Sequence, residues 1–307
     1  MDFHELSLSD KKILDPFFHG RRYENSHYNF TTIYMWRSLY NTRWAIEDGV
    51  LFLVAQYEGR HMALSCFGPD EKMEEAAIKQ EEWMLSTGQP FLAYGLERRM
   101  ADIYASLPGR DYVARSSRNE SDYLYSTSDL INLSGRKYHT KKNHLNSFRR
   151  NYPEAEYLPI TDEIISECKL TMNTWYKKLA AETPDDPYIG TERTAVMEVL
   201  NNFSSFGLKG GAIKVGPRIV AFTFGEMLND DTVVIHVEKG APDVRGAYAA
   251  INQAFLANEW ADVPYVNRQE DMGLEGLRIA KESYRPVRMI EKYTVAPRGA
   301  EESGSGE

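Results

Sequence analysis

Two groups of residues have the types and the spacing for chemistry. The first is GRKYHTKKNHLNSFRRNY, Gly135 to Tyr152, with six Lys and Arg, two His and no Asp or Glu, in a chain of formal net charge −9. Read as a helix over 134–151, stopped before Pro153, it puts Tyr138, Leu145, Phe148 and Tyr152 on one face. Lys141 falls on that face, Lys142 and Arg149 flank it, and Arg136 and Arg150 point away. An ammonium group facing a core is costly unless an anion meets it. The segment is therefore expected to bind phosphates or carboxylates, with Arg136, Lys137, His139, Lys141, Lys142, His144 and Arg149 as candidates. The alternatives are a solvated basic face whose lysine stems lie over apolar surface, and neutralisation by carboxylates of the same chain. The second group is Glu270–Asp271, just past PYVN. Two adjacent carboxylates at a strand end can hold an ammonium group, with Asn267 to orient it. The plain alternative is a pair of loop acids favoured by a helix N-terminus.

Other residues carry weaker signals. Gly246, in PDVRGAYAA, opens a helix and can present N–H groups to an anion, with Arg245 adding charge. It can equally be a glycine at a loop-to-helix join. His236 alternates with apolar residues in TVVIHVEKG and reads as core. Cys66 and Cys168 fit no ligand spacing and are expected to be free thiols. There is no Walker loop, no His-Glu-x-x-His helix and no Gly-x-Ser-x-Gly elbow. The acidic balance argues against DNA as a partner, although a local basic patch can still meet tRNA or a phosphate-bearing small molecule. No secretion signal opens the chain, and no apolar run approaches the roughly 20 residues of a membrane helix. A cytoplasmic chain without an integral membrane segment is expected, with peripheral lipid contact left open.

These residues need elements to position them. The first half reads as helices in SLSDKKILDPFF and NFTTIYMWRSLY, then strands WAIEDG, VLFLVAQYEGR and MALSCFG, broken at Asp48-Gly49 and Glu58-Gly59 by hairpin turns. A helix closed by Gly88, the strand PFLAYG, a helix, and the strands YVARSS and DYLYST follow. The second half opens with a helix whose stripe is Ile164, Ile165, Cys168, Met172, Trp175 and Leu179, N-capped by Thr161. A helix from Thr191 to about Phe206 and three consecutive strands come next, turning at Gly216-Pro217 and Asn229-Asp230-Asp231. AYAAINQAFLANEW is a helix, PYVN a strand, GLEGLRIAKESY a helix and MIEKYTV a strand. The fold class is α+β: two modules with mixed, mainly antiparallel sheets. The expected boundaries are 1–130, 131–296 with the basic helix in the second module, and a disordered tail over 297–307.

The order of elements resembles two tandem GNAT (acetyltransferase-type) modules. The segments Gly135–Pro153 and Val266–Val287, VNRQEDMGLEGLRIAKESYRPV, resemble soluble bacterial proteins grouped with the C-terminal domain of phosphatidylglycerol lysyltransferase. The resemblance covers nearly all of residues 1–296. It implies an acyl- or aminoacyltransferase whose donor is acyl-CoA or aminoacyl-tRNA, with no obligatory cofactor. In GNAT enzymes a Gln/Arg-x-x-Gly-x-Gly/Ala loop holds the donor pyrophosphate. Here Asp243 stands where Arg or Gln is expected, and Tyr248 replaces the final small residue. That departure argues against acetyl-CoA and suits aminoacyl-tRNA. Acyl transfer needs a deprotonated acceptor, a stabilised oxyanion and a protonated leaving group. Glu226, Glu270 or Asp271 is the candidate for the first task, and by resemblance Tyr284, in AKESYRPV, is the general acid. The alternative class is a non-catalytic module that binds RNA, a lipid headgroup or a protein. The corresponding loop of the first module, CFGPDEKMEEA, is acidic and unsuited to phosphate.

Overall fold

A computed structural model describes residues 1–182 and 187–300. The chain divides into two compact units, Met1–Ser121 with the return from Ile290, and Asp122–Met289.

In the first unit the elements are β1 (His4–Glu5), α1 (Lys11–Phe18), α2 (Phe30–Tyr40), β2 (Arg43–Glu47), β3 (Val50–Tyr57), β4 (Arg60–Phe67), α3 (Met73–Ser86), β5 (Ala93–Leu96), α4 (Arg98–Ala105) and β6 (Tyr112–Ser116). The β2–β3–β4 meander exists because both turns take consecutive positive φ values. Asp48 and Gly49 have φ 52° and 75°, and Glu58 and Gly59 have 49° and 78°, the geometry whose twist matches paired strands. Asn29 caps α2, its Oδ1 accepting from Thr32 N–H at 2.8 Å. α3 and α4 cover a core that includes Phe52, Ala63, Met84, Phe91 and Tyr104.

The second unit contains β7 (Asp122–Ser126), α5 (Thr127–Asn132), α6 (His139–Asn151), β8 (Glu156–Pro159), α7 (Asp162–Glu182), α8 (Pro187–Asn201), α9 (Phe203–Phe206), β9 (Lys209–Val215), β10 (Arg218–Asn229), β11 (Thr232–Gly240), α10 (Ala247–Glu259), β12 (Tyr265–Asn267), α11 (Glu275–Glu282) and β13 (Arg288–Ile290). Its sheet runs β13-β7-β12-β11-β10-β9-β8. Antiparallel β9–β10–β11 is followed by α10, by β12 parallel to β11, and by α11. This is the GNAT-like order, and the α+β class with mixed, mainly antiparallel sheets holds.

Several expected boundaries differ. MIEKYTV is two strands: β13 ends in the second sheet, and β14 (Tyr293–Pro297) lies between β5 and β6 in the first. Lys292 separates them because it is buried and its ammonium donates to Ser26 Oγ at 3.1 Å, with His27 Nε2 at 3.0 Å. β7 belongs to the second sheet, beside β12, because Tyr123, Leu124 and Tyr125 bury there fully. The first module therefore ends at Ser121, not residue 130, and the second at Met289, not residue 296. The basic helix starts at His139 after a 3-10 turn over Arg136–Tyr138. In α7, Ile165, Cys168 and Met172 are buried as expected, but Tyr176 joins them while Leu179 is exposed. The helix expected from Thr191 runs from Pro187 to Asn201, with Phe203–Phe206 as a separate turn. Residues 301–307 of the expected tail lie outside the described residues. Pro297 closes β14, and Arg298 donates from its backbone N–H and its Nε to Asp111, at 2.8 and 2.9 Å.

Candidate active site

β11 and β12 pair over only three positions, Thr232–Tyr265, Val233–Val266 and Val234–Asn267. Beyond them β11 runs on to Gly240, whereas the chain after β12 stays with β7. Arg268 N–H donates to Tyr123 O at 3.0 Å, and Tyr123 N–H to Gln269 O at 3.2 Å. The two parallel strands therefore split. A bulge lies on β11 at the same level: Phe224 pairs with Val237 but Gly225 with Ile235, leaving His236 as the extra residue. The turn leaving β12 is backbone-strained, with φ of 59° at Gln269 and 52° at Met272. Positive φ at such residues gathers where a site demands it.

Side chains bridge the split. Gln269 Nε2 donates to Ile235 O at 2.9 Å. Arg268 reaches back to β11, where its Nη2 donates to Glu238 Oε1 at 2.8 Å. Asn252 of α10 donates from Nδ2 to the other Glu238 oxygen at 2.9 Å. The Arg268 guanidinium lies over the rings of Tyr284 at 4.7 Å and Tyr125 at 5.6 Å. Lys281 of α11 is buried, and its ammonium donates to the carbonyls of Arg268 and Gln269. Burial, and then the Arg268 charge, push its pKa down to about 8, against the pull of Glu270, Glu238 and Asp122.

Of the basic segment, Lys141 is the cation that turns inward. Its Nζ lies 4.4 Å from the Tyr284 ring centroid. Among the described residues no carboxylate pairs with it. Its pKa is lowered by burial first and by Arg268 second, while Glu238 pulls the other way. The rest of the segment disperses. Arg136, Lys142 and Arg150 are exposed. Lys137 pairs with Asp129 at 3.2 Å, His139 meets Asn143 at 3.4 Å, and Arg149 donates to Gln253 at 3.3 Å. His144 is half-buried, its pKa lowered by burial and then by Lys141 and Arg245.

Gly246 has φ 88°, and a Cβ there would come 2.6 Å from His144 O and 3.0 Å from Phe148 Cβ. The glycine stands at the loop-to-helix join and lets α6 lie directly against the start of α10. Arg245 is exposed, and Asp243 forms a two-point pair with Arg218 at 2.8 and 2.9 Å.

The carboxylate candidates are held by other groups. Glu226 sits on β10, with β11 between it and β12, and its Oε1 meets His236 Nε2 at 2.9 Å. Asp271 is fully buried. Its Oδ2 accepts from Tyr123 OH at 2.5 Å and Arg278 Nε at 3.0 Å, and its Oδ1 from Gly273 N–H at 2.9 Å. Burial alone would raise its pKa, but the bonds from Arg278 and Tyr123 outweigh it and hold it low. Asn267 donates to Asp122 at 3.0 Å and accepts from Gln269 N–H at 2.8 Å, so it builds the turn. Glu270 is half-buried and electrostatically linked to Lys281. Tyr284 is buried at the split, its pKa pushed up to about 12 by burial. The structure thus brings together Lys141 and Tyr284, and adds Tyr125, Glu238, Arg268 and Lys281, which the sequence reading missed. A helical wheel of α11, which sets Lys281 between Arg278 and Tyr284, was the available signal for one of them.

Two surface hollows lie elsewhere. One of about 840 Å³ in the first unit is lined by Asp70, Glu71, Glu74, Asp102, Arg98 and Arg99, with Arg21 and Arg99 paired to Asp70. The other, about 210 Å³, lies between α6, α10 and β8–β9 over Leu145, Phe148, Tyr157 and Ile213. Among the described residues no helix is long and apolar enough to cross a membrane.

A family model described as phosphatidylglycerol lysyltransferase, C-terminal, matches residues 20–296. The crystal structure of a conserved protein of unknown function from Bacteroides thetaiotaomicron is similar at TM-score 0.88 and 35% identity, covering 97% of this chain and all of that one. L-PGS from Bacillus licheniformis is similar at TM-score 0.62 and 14% identity over 84% of each chain, a likeness that speaks to fold alone. An uncharacterised protein of Mycoplasmoides gallisepticum is 26% identical over 179 residues, 58% of this chain and 56% of that relative, so the match spans about half of its length. With the family model matching from residue 20 to residue 296, this chain belongs to the phosphatidylglycerol lysyltransferase C-terminal family.

Proposed function

We propose that the second unit transfers an aminoacyl group from aminoacyl-tRNA to an amine or hydroxyl acceptor at the split between β11 and β12. The observation that carries this reading is the convergence there of Tyr284, Lys281, Arg268 and Lys141 in a chain of this family. In the reaction the acceptor nitrogen or oxygen attacks the ester carbonyl, its bond to the carbonyl carbon forms, and the bond from that carbon to the ribose oxygen breaks. The acceptor loses one proton and the ribose oxygen gains one. Lys281, with a pKa near 8, is matched to proton transfer near neutrality. The Tyr284 hydroxyl, which has no hydrogen-bond partner among the described residues, is the group available to protonate the departing oxygen. Exposed Arg136, Lys142 and Arg150 are suited to the tRNA backbone, whose phosphates are spread over a surface. An acyl-CoA donor is disfavoured, because Asp243 stands where the pyrophosphate loop calls for Arg or Gln and is held by Arg218.

Incubation with aminoacyl-tRNA labelled in the amino acid, with amine, hydroxyl and phosphatidylglycerol acceptors supplied separately, tests the reading. Label should move to one acceptor. Tyr284→Phe should slow that transfer by about 10²–10⁴-fold, the usual worth of a positioned acid, with the urea midpoint unchanged. Full activity in that variant removes the acid role. The non-catalytic reading keeps one specific support: Glu226, Asn267 and Asp271 are all engaged internally. Saturable tRNA binding with no turnover of any aminoacyl donor would favour it.

A further inference from the structure

The split holds two polar atoms that the fold leaves over. Arg268 Nη1 is buried and without a hydrogen-bond partner, and so is Asn252 Oδ1. Buried polar atoms are nearly always paired, and an orphan costs its full desolvation. Both orphans belong to side chains fastened to the same carboxylate: Arg268 donates to one Glu238 oxygen and Asn252 to the other. That double attachment fixes the Asn252 amide, since its nitrogen must face the carboxylate and its oxygen must then face away. The leftover pair is therefore one cationic donor and one neutral acceptor. Lys141 adds a second cation, 4.4 Å from the ring centroid of Tyr284, the ring over which Arg268 also lies. No carboxylate pairs with it among the described residues, and its ammonium is disfavoured by burial and by Arg268.

We infer that Arg268, Lys141 and Asn252 form a subsite for the acceptor of the proposed transfer, a compact molecule carrying an oxyanion together with an amine or hydroxyl. The oxyanion, a carboxylate or a phosphodiester, takes the Arg268 N–H and the Lys141 ammonium. The N–H or O–H of the nucleophile donates to Asn252 Oδ1. The chemistry excludes the donor from this place. An esterified amino acid has lost its α-carboxylate, so it does not offer the oxyanion that the Arg268 and Lys141 cations require. Arg268 Nη1 is buried beside the rings of Tyr284 and Tyr125, which suits an anion at the end of a small molecule or headgroup. The inference rests on the second unit being the transfer site, but binding at this subsite does not depend on turnover.

Equilibrium binding to the full chain tests it, with three probes: glycine as a carboxylate with an amine, glycerophosphoglycerol as a soluble phosphodiester with hydroxyls, and phosphatidylglycerol in phosphatidylcholine vesicles. At least one should bind saturably. Glycine alone assigns a free amino-acid acceptor, glycerophosphoglycerol a soluble phosphodiester, and vesicles alone a lipid headgroup. Lys141→Met should weaken binding by about 10- to 100-fold, the worth of one charge-assisted hydrogen bond. Arg268→Gln alone leaves the half-buried Glu238 without its cation, so it is paired as Arg268→Gln/Glu238→Gln, which should also weaken binding while keeping a cooperative urea transition. No binding of any probe, or wild-type affinity in Lys141→Met, overturns the inference. Binding without aminoacyl transfer would leave the subsite standing and remove the transferase reading, so the two failures are distinguishable.

Discussion

Lys281 spends its hydrogen bonds on two backbone carbonyls and yet titrates near neutrality. Its pKa near 8 lies below the ordinary lysine value, so between about pH 8 and 10.5 the unfolded chain binds more protons than the folded one. Stability due to this group therefore rises with pH across that window, and below pH 8 the folded state bears the full cost of the buried charge. The shift corresponds to about 3 kcal/mol. Urea unfolding of wild type and Lys281→Met from pH 7 to 10.5 should diverge by up to that amount, with wild type gaining. Parallel curves would mean that the ammonium is not buried. Asp271 has the opposite sign. Its lowered pKa contributes stability above the ordinary carboxylate pKa that is lost as pH falls through the folded value. Asp271→Asn should cost about 1.5–3 kcal/mol in urea at pH 7, since it weakens hydrogen bonds from Arg278 and Tyr123 to a charged acceptor. At this scale the sequence showed the charge types, and the structure decides which of them turn toward the split. Lys141 was legible because a wheel places it among Leu145 and Phe148. That Asp271 is held by Arg278 and Tyr123 was not legible, because adjacent acids after a strand look alike whether they face a ligand or an arginine of the same chain.

Gly246 decides how α6 meets α10. Gly246→Ala adds a Cβ at positive φ that also collides with the His144 carbonyl. Gly59→Ala is the control: its φ is 78° and no atom lies within 4 Å of the added Cβ. The control should lose about 1–2 kcal/mol from backbone conformation alone. Gly246→Ala should lose clearly more, because α6 has to move, and protection of the α6 amides from hydrogen exchange should fall with it. Equal losses would mean the helices are not in contact there. The elements themselves were well marked in the sequence. Asp48-Gly49, Glu58-Gly59 and Gly216-Pro217 turn where expected because positive φ and fixed proline geometry are local properties. The split of β11 from β12 was not marked, since Val234 and Ile235 look alike in sequence and only the register places the last pair at Val234–Asn267.

Strand β14 binds the end of the chain into the first sheet, where it pairs with both β5 and β6. A chain ending at Met289 should therefore leave two strand edges of that sheet unpaired, and the first unit should lose its cooperative unfolding transition. Limited proteolysis should cut within residues 1–121 of the shortened chain and spare them in the full chain. Equal resistance would mean that β14 is dispensable. By itself the sequence determined the α+β class, the order of strands and helices, and the family, because periodicity, turn chemistry and local motifs are written along the chain. Tertiary structure alone decided that MIEKYTV divides between two sheets, that β7 joins the second, and that Glu238, Arg268, Asn252 and Lys141 share one place. Those outcomes depend on which distant groups can bury and pair with one another, and that free energy exists only once the chain has closed around them.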